Sequence, residues 1–124
     1  MNAQELSERL LELAIRIISL VRALPKSVEG RHAARQLLRA GTSPGANYEE
    51  ACGAESFGHK IGIVLKELKE SRYWLRIVRK MPLVKSPARV DPLLGEVEQL
   101  VAIFARSVTT VRKRPRQLPM SNDK

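Results

Sequence analysis

One cysteine, two histidines and five aromatic residues are all that this 124-residue chain holds of those kinds, and each scarcity closes a route. Cys52 has no partner for an intramolecular disulfide, so no disulfide framework can replace a hydrophobic core. Aromatics make up 4% of the chain against 44% apolar residues, so the core must be built from Leu, Ile, Val and Ala. That supply suits helix-on-helix packing better than strands, which favour aromatic and β-branched side chains. The histidines supply one Glu-x-x-His string, Glu29 to His32, which is half of the pair a bundle-borne di-metal centre needs. His59 follows Glu55 by four and forms no second copy, so no metal is expected. Cys52 and His59 lack a third orienting group and an oxyanion loop, which leaves Cys52 as a small, partly buried structural residue. Gly41-x-x-x-Gly45 lacks the Gly-Lys-Thr/Ser that completes a phosphate loop. The reading is of a non-enzyme, with no catalytic residues and no cofactor.

Long apolar runs are missing as well. Arginines interrupt every candidate before the roughly 18 residues a membrane span requires. The N-terminus shows no charged region, apolar stretch and cleavage site in sequence, so the expectation is a soluble, cytoplasmic protein with no membrane partner. Carboxylates are scarce relative to cations, 13 against 22, and net charge is +9. Residues 112–124 hold Arg112, Lys113, Arg114, Arg116 and Lys124 against Asp123, a net +4, which leaves the body only mildly basic. A basic balance of this kind serves either polyanion binding or solubility.

What is present in quantity is helical periodicity. Leu6, Leu10, Leu13, Ile17, Val21 and Leu24 recur at threes and fours, and Pro25 follows them. Ser27 is placed to cap a second helix carrying Ala33, Ala34, Leu37, Leu38 and Ala40. Phe57, Ile61, Val64, Leu65, Leu68, Trp74, Leu75 and Val78 form a third stripe, ended by Pro82. Asp91-Pro92 opens a fourth, with Leu93, Val97, Leu100, Val101, Phe104, Val108 and Val111 on its face. The chain is short enough for a single domain. The expected fold is all-α, an antiparallel up-down-up-down four-helix bundle over residues 1–111, with helices near 3–24, 28–53, 55–81 and 91–111. The basic, proline-containing segment 112–124 is expected to be a disordered tail. Between the second helix and its continuation lies Gly41-Thr-Ser-Pro-Gly45, which reads either as a stop and restart or as one helix kinked at Pro44.

The strings RAGTSPGANYEEA (39–51) and LKELKESRYWL (65–75) resemble the bacterial four helix bundle protein family. Its members include proteins encoded within intervening sequences of large-subunit ribosomal RNA genes. The resemblance runs through residues 6–112. It rests on Arg39, Ser43, Asn47 and Glu50, and on Lys66, Glu67, Glu70, Tyr73, Trp74 and Leu75. Pro44 and Tyr48 stand where aliphatic residues are usual. The resemblance implies that the second helix runs on, kinked, through Pro44. It also implies a closed homo-oligomer, with a ring of five as the expected state. A relative of similar fold is the accessory protein of diversity-generating retroelements, a basic pentamer that binds a reverse transcriptase and nucleic acid.

Spacing gives the polar residues a job. Arg39, Ser43, Asn47 and Glu50 share one helical face, as do Lys60, Glu67, Glu70 and Trp74. An antiparallel hairpin turning near Gly53 sets Arg39 beside Glu67 and Glu70, Glu50 beside Lys60, and Gly45 opposite Gly62. The stripe is then either a partner site or a buried register network; the second is expected, because each charge finds its opposite. Burial there would make Arg39→Ala cost roughly 3–5 kcal/mol. Tyr73 and Trp74 are expected in the core or an interface rather than as base-stacking platforms. Candidate polyanion contacts are Arg31, Arg35, Arg72, Arg76, Arg79 and Lys80, joined by Arg112, Lys113, Arg114 and Arg116. The expected partners are a second copy of this chain, and RNA, DNA or a nucleic-acid-processing protein. The first and fourth helices carry more apolar residues than one bundle core absorbs, so Ile15 and Ile103 are expected to face outward into a subunit interface.

Overall fold

The computed structural model describes residues 1–113. Four helices follow one another: α1 (Ala3–Ala23), α2 (Val28–Ala51), α3 (Phe57–Lys80) and α4 (Asp91–Lys113), with a 3₁₀ turn at Pro87–Val90 ahead of α4. Each helix packs on the next in sequence, while α1 and α4 touch only sparingly. The result is the all-α four-helix bundle that the periodicity predicts.

Caps explain where the helices begin. Asn2 accepts from the Glu5 N–H at 2.8 Å while Glu5 accepts from the Asn2 N–H at 2.9 Å, a reciprocal capping box. Ser27 accepts from the Gly30 N–H at 3.1 Å. The α1–α2 connection is tight enough that Gly30 lies against the Pro25 carbonyl, leaving no room for a side chain.

α2 runs unbroken through Pro44. Thr42 and Ser43 donate their hydroxyls to the carbonyls of Leu38 and Arg39, at 2.5 and 2.7 Å, and Pro44 has no N–H to offer Ala40. Three successive residues thus disturb the backbone ladder, the local ingredients of a bend. The helix survives because it sits between α1 and α3, with Ala40, Gly41, Pro44 and Tyr48 buried. Gly41 does not end a helix. It is where the Ile17 side chain of α1 presses on the α2 backbone; an added Cβ would lie 2.6 Å from Ile17.

Several boundaries move. Cys52 leaves the helix in an extended conformation and Gly53 follows at φ +84° to turn the chain, so α2 ends at Ala51 rather than 53. Asp91 is not a cap standing outside a helix; the 3₁₀ turn delivers the chain into α4 with Asp91 already helical. Arg112 and Lys113, expected in the tail, form the last turn of α4, where cations suit the negative end of the helix dipole. The disorder expected for the rest of the tail, and the positions of Arg114 and Arg116, lie outside the described residues.

Leu10, Leu13, Ile17, Leu37, Val64, Leu68, Leu75, Val97, Leu100 and Phe104 have no solvent exposure at all. Phe104 meets Tyr48 edge to face, with ring centres 5.4 Å apart. Ile103 differs from expectation. It is partly buried against the core, together with Leu94 and Val108, so α4 disposes of its surplus apolar residues inside the subunit. α1 does not: Leu11, Ile15 and Ile18 stay exposed, Ile15 at 52%.

Candidate functional site

The α2–α3 hairpin brings the polar stripe together as a set of inter-helix pairs. Arg39 Nη2 lies 3.3 Å from Glu70 Oε2, and Lys60 Nζ lies 3.3 Å from Glu50 Oε1. Asn47 Nδ2 donates to Glu67 Oε1 at 3.0 Å. Ser43 is not part of this set, because its hydroxyl is spent on the Arg39 carbonyl. Gly45 does not face Gly62: it approaches Leu10 of α1, while nothing lies within 4 Å of a Cβ added at Gly62. The close helix approach that a pair of glycines suggested therefore belongs to α1–α2, not α2–α3.

Burial is where the stripe departs most from expectation. The Arg39 side chain is 50% exposed and that of Glu70 35%, so solvent screens their attraction. Arg39→Ala should accordingly lower stability by about 0.2–1 kcal/mol rather than 3–5, measured by urea unfolding; a loss above about 2 kcal/mol would show a far drier site. Glu67 is the drier member. Burial raises its pKa above the usual carboxylate range, and the Asn47 hydrogen bond and the Arg39 charge only partly oppose this. The folded state holds that proton more tightly than the unfolded one. Its ionisation therefore subtracts stability as pH rises through the ordinary carboxylate range, and the loss is complete once pH has passed the raised value.

Trp74 is half-buried, edge-on to His32 at 5.3 Å and to Tyr73 at 5.5 Å. The Glu29–His32 string therefore ends in a packing contact. Among the described residues no group of three or more His, Cys, Asp or Glu is placed to hold a metal ion. Cys52 is exposed at the end of α2 rather than partly buried, and it neighbours Tyr48, whose hydroxyl burial pushes up to about 12.

The cations are arranged by topology. Because successive helices alternate direction, the second half of α1, the first half of α2, the second half of α3 and the first half of α4 gather at one end of the bundle. Cutting each helix at its middle, that end (residues 14–39 and 69–101) carries thirteen Lys and Arg against five carboxylates. The other end, within residues 1–113, carries six against seven. A body that is mildly basic on average is strongly polar along its axis. Arg31, Arg35, Arg72, Arg76, Arg79 and Lys80 all lie at the basic end. Arg79 is engaged there by Asp91, at 2.8 Å. Arg112 and Lys113 stand at the opposite end, since Val111 lies against Gly58 at the start of α3. With about 1.5 Å of rise per residue, some 30 Å of helix separates them from Lys80. The eight candidates among the described residues are thus two groups rather than one surface.

Tyr73, expected in a core or interface, is 59% exposed. With Ile77 and Met81, and with Arg76 and Lys80 beside them, it lines a shallow surface hollow of about 390 Å³ at the basic end. Sequence reasoning also missed Arg16, Lys85 and Arg89, which topology adds to that end; no periodicity links them.

A family described as 23S rRNA-intervening sequence protein matches residues 3–106. The chain belongs to this family. The match covers all of α1 to α3 and most of α4, so the intervening-sequence family fold and the bundle described above are one object. A crystal structure of a protein of unknown function from the S23 ribosomal protein family of Bacteroides thetaiotaomicron is similar: 28% identical, TM-score 0.77, covering 88% of this chain and 99% of that one. No curated protein matches the chain. No helix of the described residues is long and apolar enough to cross a membrane.

Proposed function

We propose that this member of the intervening-sequence family is a non-enzymatic oligomeric adaptor, acting in the cytoplasm, that binds RNA across the basic end of its bundle. The observation that carries the reading is the axial segregation of charge, +8 at one end against −1 at the other. A basic tail serves solubility as well as binding, but cations gathered from three helices and the connections between helices onto one end create a directed field. Exposed Tyr73 with Arg76 and Lys80 supplies an aromatic face and phosphate partners side by side, the combination that holds single strands without reading sequence.

Self-association is the other half of the proposal. Leu11, Ile15 and Ile18 follow helical spacing on α1, and Leu38 is exposed on the adjoining helix. This apolar stripe supports a subunit interface, and the ring of five implied by the family resemblance is the expected closed form. Ile15→Glu should give smaller species of unchanged helicity in sedimentation; a wild-type mass near one 13.9 kDa chain would remove this part of the proposal.

Anisotropy titration of a fluorescent single-stranded RNA tests the binding half. Affinity should fall steeply with salt, and Arg76→Glu with Lys80→Glu should flatten the log–log slope by about 1.4, at roughly 0.7 for each phosphate no longer neutralised. Deleting residues 112–124 should weaken binding less than these reversals do, because Arg112 and Lys113 stand at the opposite end of the bundle. Absence of binding at low salt would favour the second reading, a purely protein-interacting oligomer for which the same apolar stripe suffices.

A further inference from the structure

We propose that the groove between the second half of α1 and the chain leading into α4 is a site for a phosphomonoester of nucleoside monophosphate size. The groove holds about 550 Å³, within the range of small-molecule sites, and four separate segments wall it, three of which supply a cation. Arg16 comes from α1, Lys85 from the α3–α4 connection and Arg89 from the 3₁₀ turn.

Among the described residues most cations have no carboxylate partner, but these three share one concavity whose lining holds no carboxylate. Arg9, Arg39, Lys60 and Arg79 each have a carboxylate partner on another helix, within 3.3 Å. Arg16, Lys85 and Arg89 have none among the described residues, and no carboxylate lines their groove. Three like charges brought to one concavity repel one another until an anion enters. Serine hydroxyls at Ser19 and Ser86 add neutral donors to the same walls. The rest of the lining includes Leu20, Val84 and Leu93, which offer an apolar surface to a flat group attached to the phosphate. A dianionic phosphate with an apolar or aromatic substituent matches both halves, whereas inorganic phosphate matches only one. Two guanidinium groups favour a phosphomonoester further, since each can make paired hydrogen bonds to its oxygens. The sparse contact between α1 and α4 is what leaves the groove open.

The same chemistry occurs in a free nucleotide and at the 5′ end of an RNA. Calorimetric titration of the full chain with AMP, with adenosine and with inorganic phosphate reads the groove itself. Saturable AMP binding at one site per chain is expected, with adenosine and inorganic phosphate each at least tenfold weaker. Arg89→Glu with Lys85→Glu should weaken AMP at least tenfold, while Arg31→Glu with Arg35→Glu should change it less than twofold. Both pairs are exposed, so circular dichroism should show both variants fully folded. No AMP binding at millimolar concentration, equal binding of adenosine, or equal weakening by the Arg31 and Arg35 reversals would each overturn the proposal. Competition separates the two sources. Displacement of AMP by a 5′-phosphorylated but not a 5′-hydroxyl oligonucleotide assigns the groove to RNA ends, and its failure with AMP still bound assigns it to free nucleotides. The adaptor reading can fail in the RNA titration without touching this result, because AMP occupies one groove and does not span the basic end.

Discussion

Phe104→Ala is expected to remove about 3–5 kcal/mol of stability, a large share of the roughly 5–15 kcal/mol that holds a domain together. Phe104 is the largest of the fully buried side chains and has no solvent exposure. Its loss deletes apolar contact and leaves a cavity whose walls belong to a close-packed core, which relaxes only in part. It also deletes the edge-to-face contact with Tyr48, worth about 0.5–1.5 kcal/mol beyond area. Tyr48 lies on α2 and Phe104 on α4, so the pair ties together two helices that are not neighbours in sequence. Urea unfolding followed by circular dichroism would measure the loss, with Phe104→Leu as the near-volume control at under about 1.5 kcal/mol. A Phe104→Ala loss below about 1 kcal/mol would mean that α4 does not pack there.

Gly30→Ala should cost about 3 kcal/mol or more, at the upper end of overpacking effects. The added methyl would fall on the Pro25 carbonyl, and neither backbone can move without undoing the Ser27 cap or the α1–α2 turn. The same substitution at Gly62 or Gly95 meets nothing within 4 Å. There alanine should stabilise by about 0.5–1 kcal/mol, because it removes glycine's excess freedom in the unfolded chain. Opposite signs from one chemical change make thermal denaturation a sensitive test: a midpoint lower by roughly 10 °C for Gly30→Ala and slightly higher for the other two. Equal shifts at all three positions would show that the Pro25 contact is absent.

Much of this molecule was legible before any coordinates. The threes and fours of Leu6 to Leu24 and of Leu93 to Val111 specify helices, because only that period puts them on one face. The antiparallel register of α2 and α3 follows from a short turn between two long helices, and it carries Arg39 to Glu70 and Glu50 to Lys60 by arithmetic alone. Local caps were equally readable, as Ser27 shows. Each is a property of residues near in sequence, or of one hairpin, so composition and spacing suffice. Burial is a different quantity, since it depends on what every other helix covers. The sequence made Ile15 and Ile103 look alike, yet Ile103 packs against the core and Ile15 stays exposed, because burial is set by which way each helix turns its faces in the assembled bundle. The register network looked buried and is half in water for the same reason. Charge shows the division most plainly: the sequence determined the sum, +9, and only the alternation of helix directions decided that the body's cations meet at one end. Arg16, Lys85 and Arg89 are about 70 residues apart at their extremes and share a groove because tertiary packing folds the chain back on itself three times.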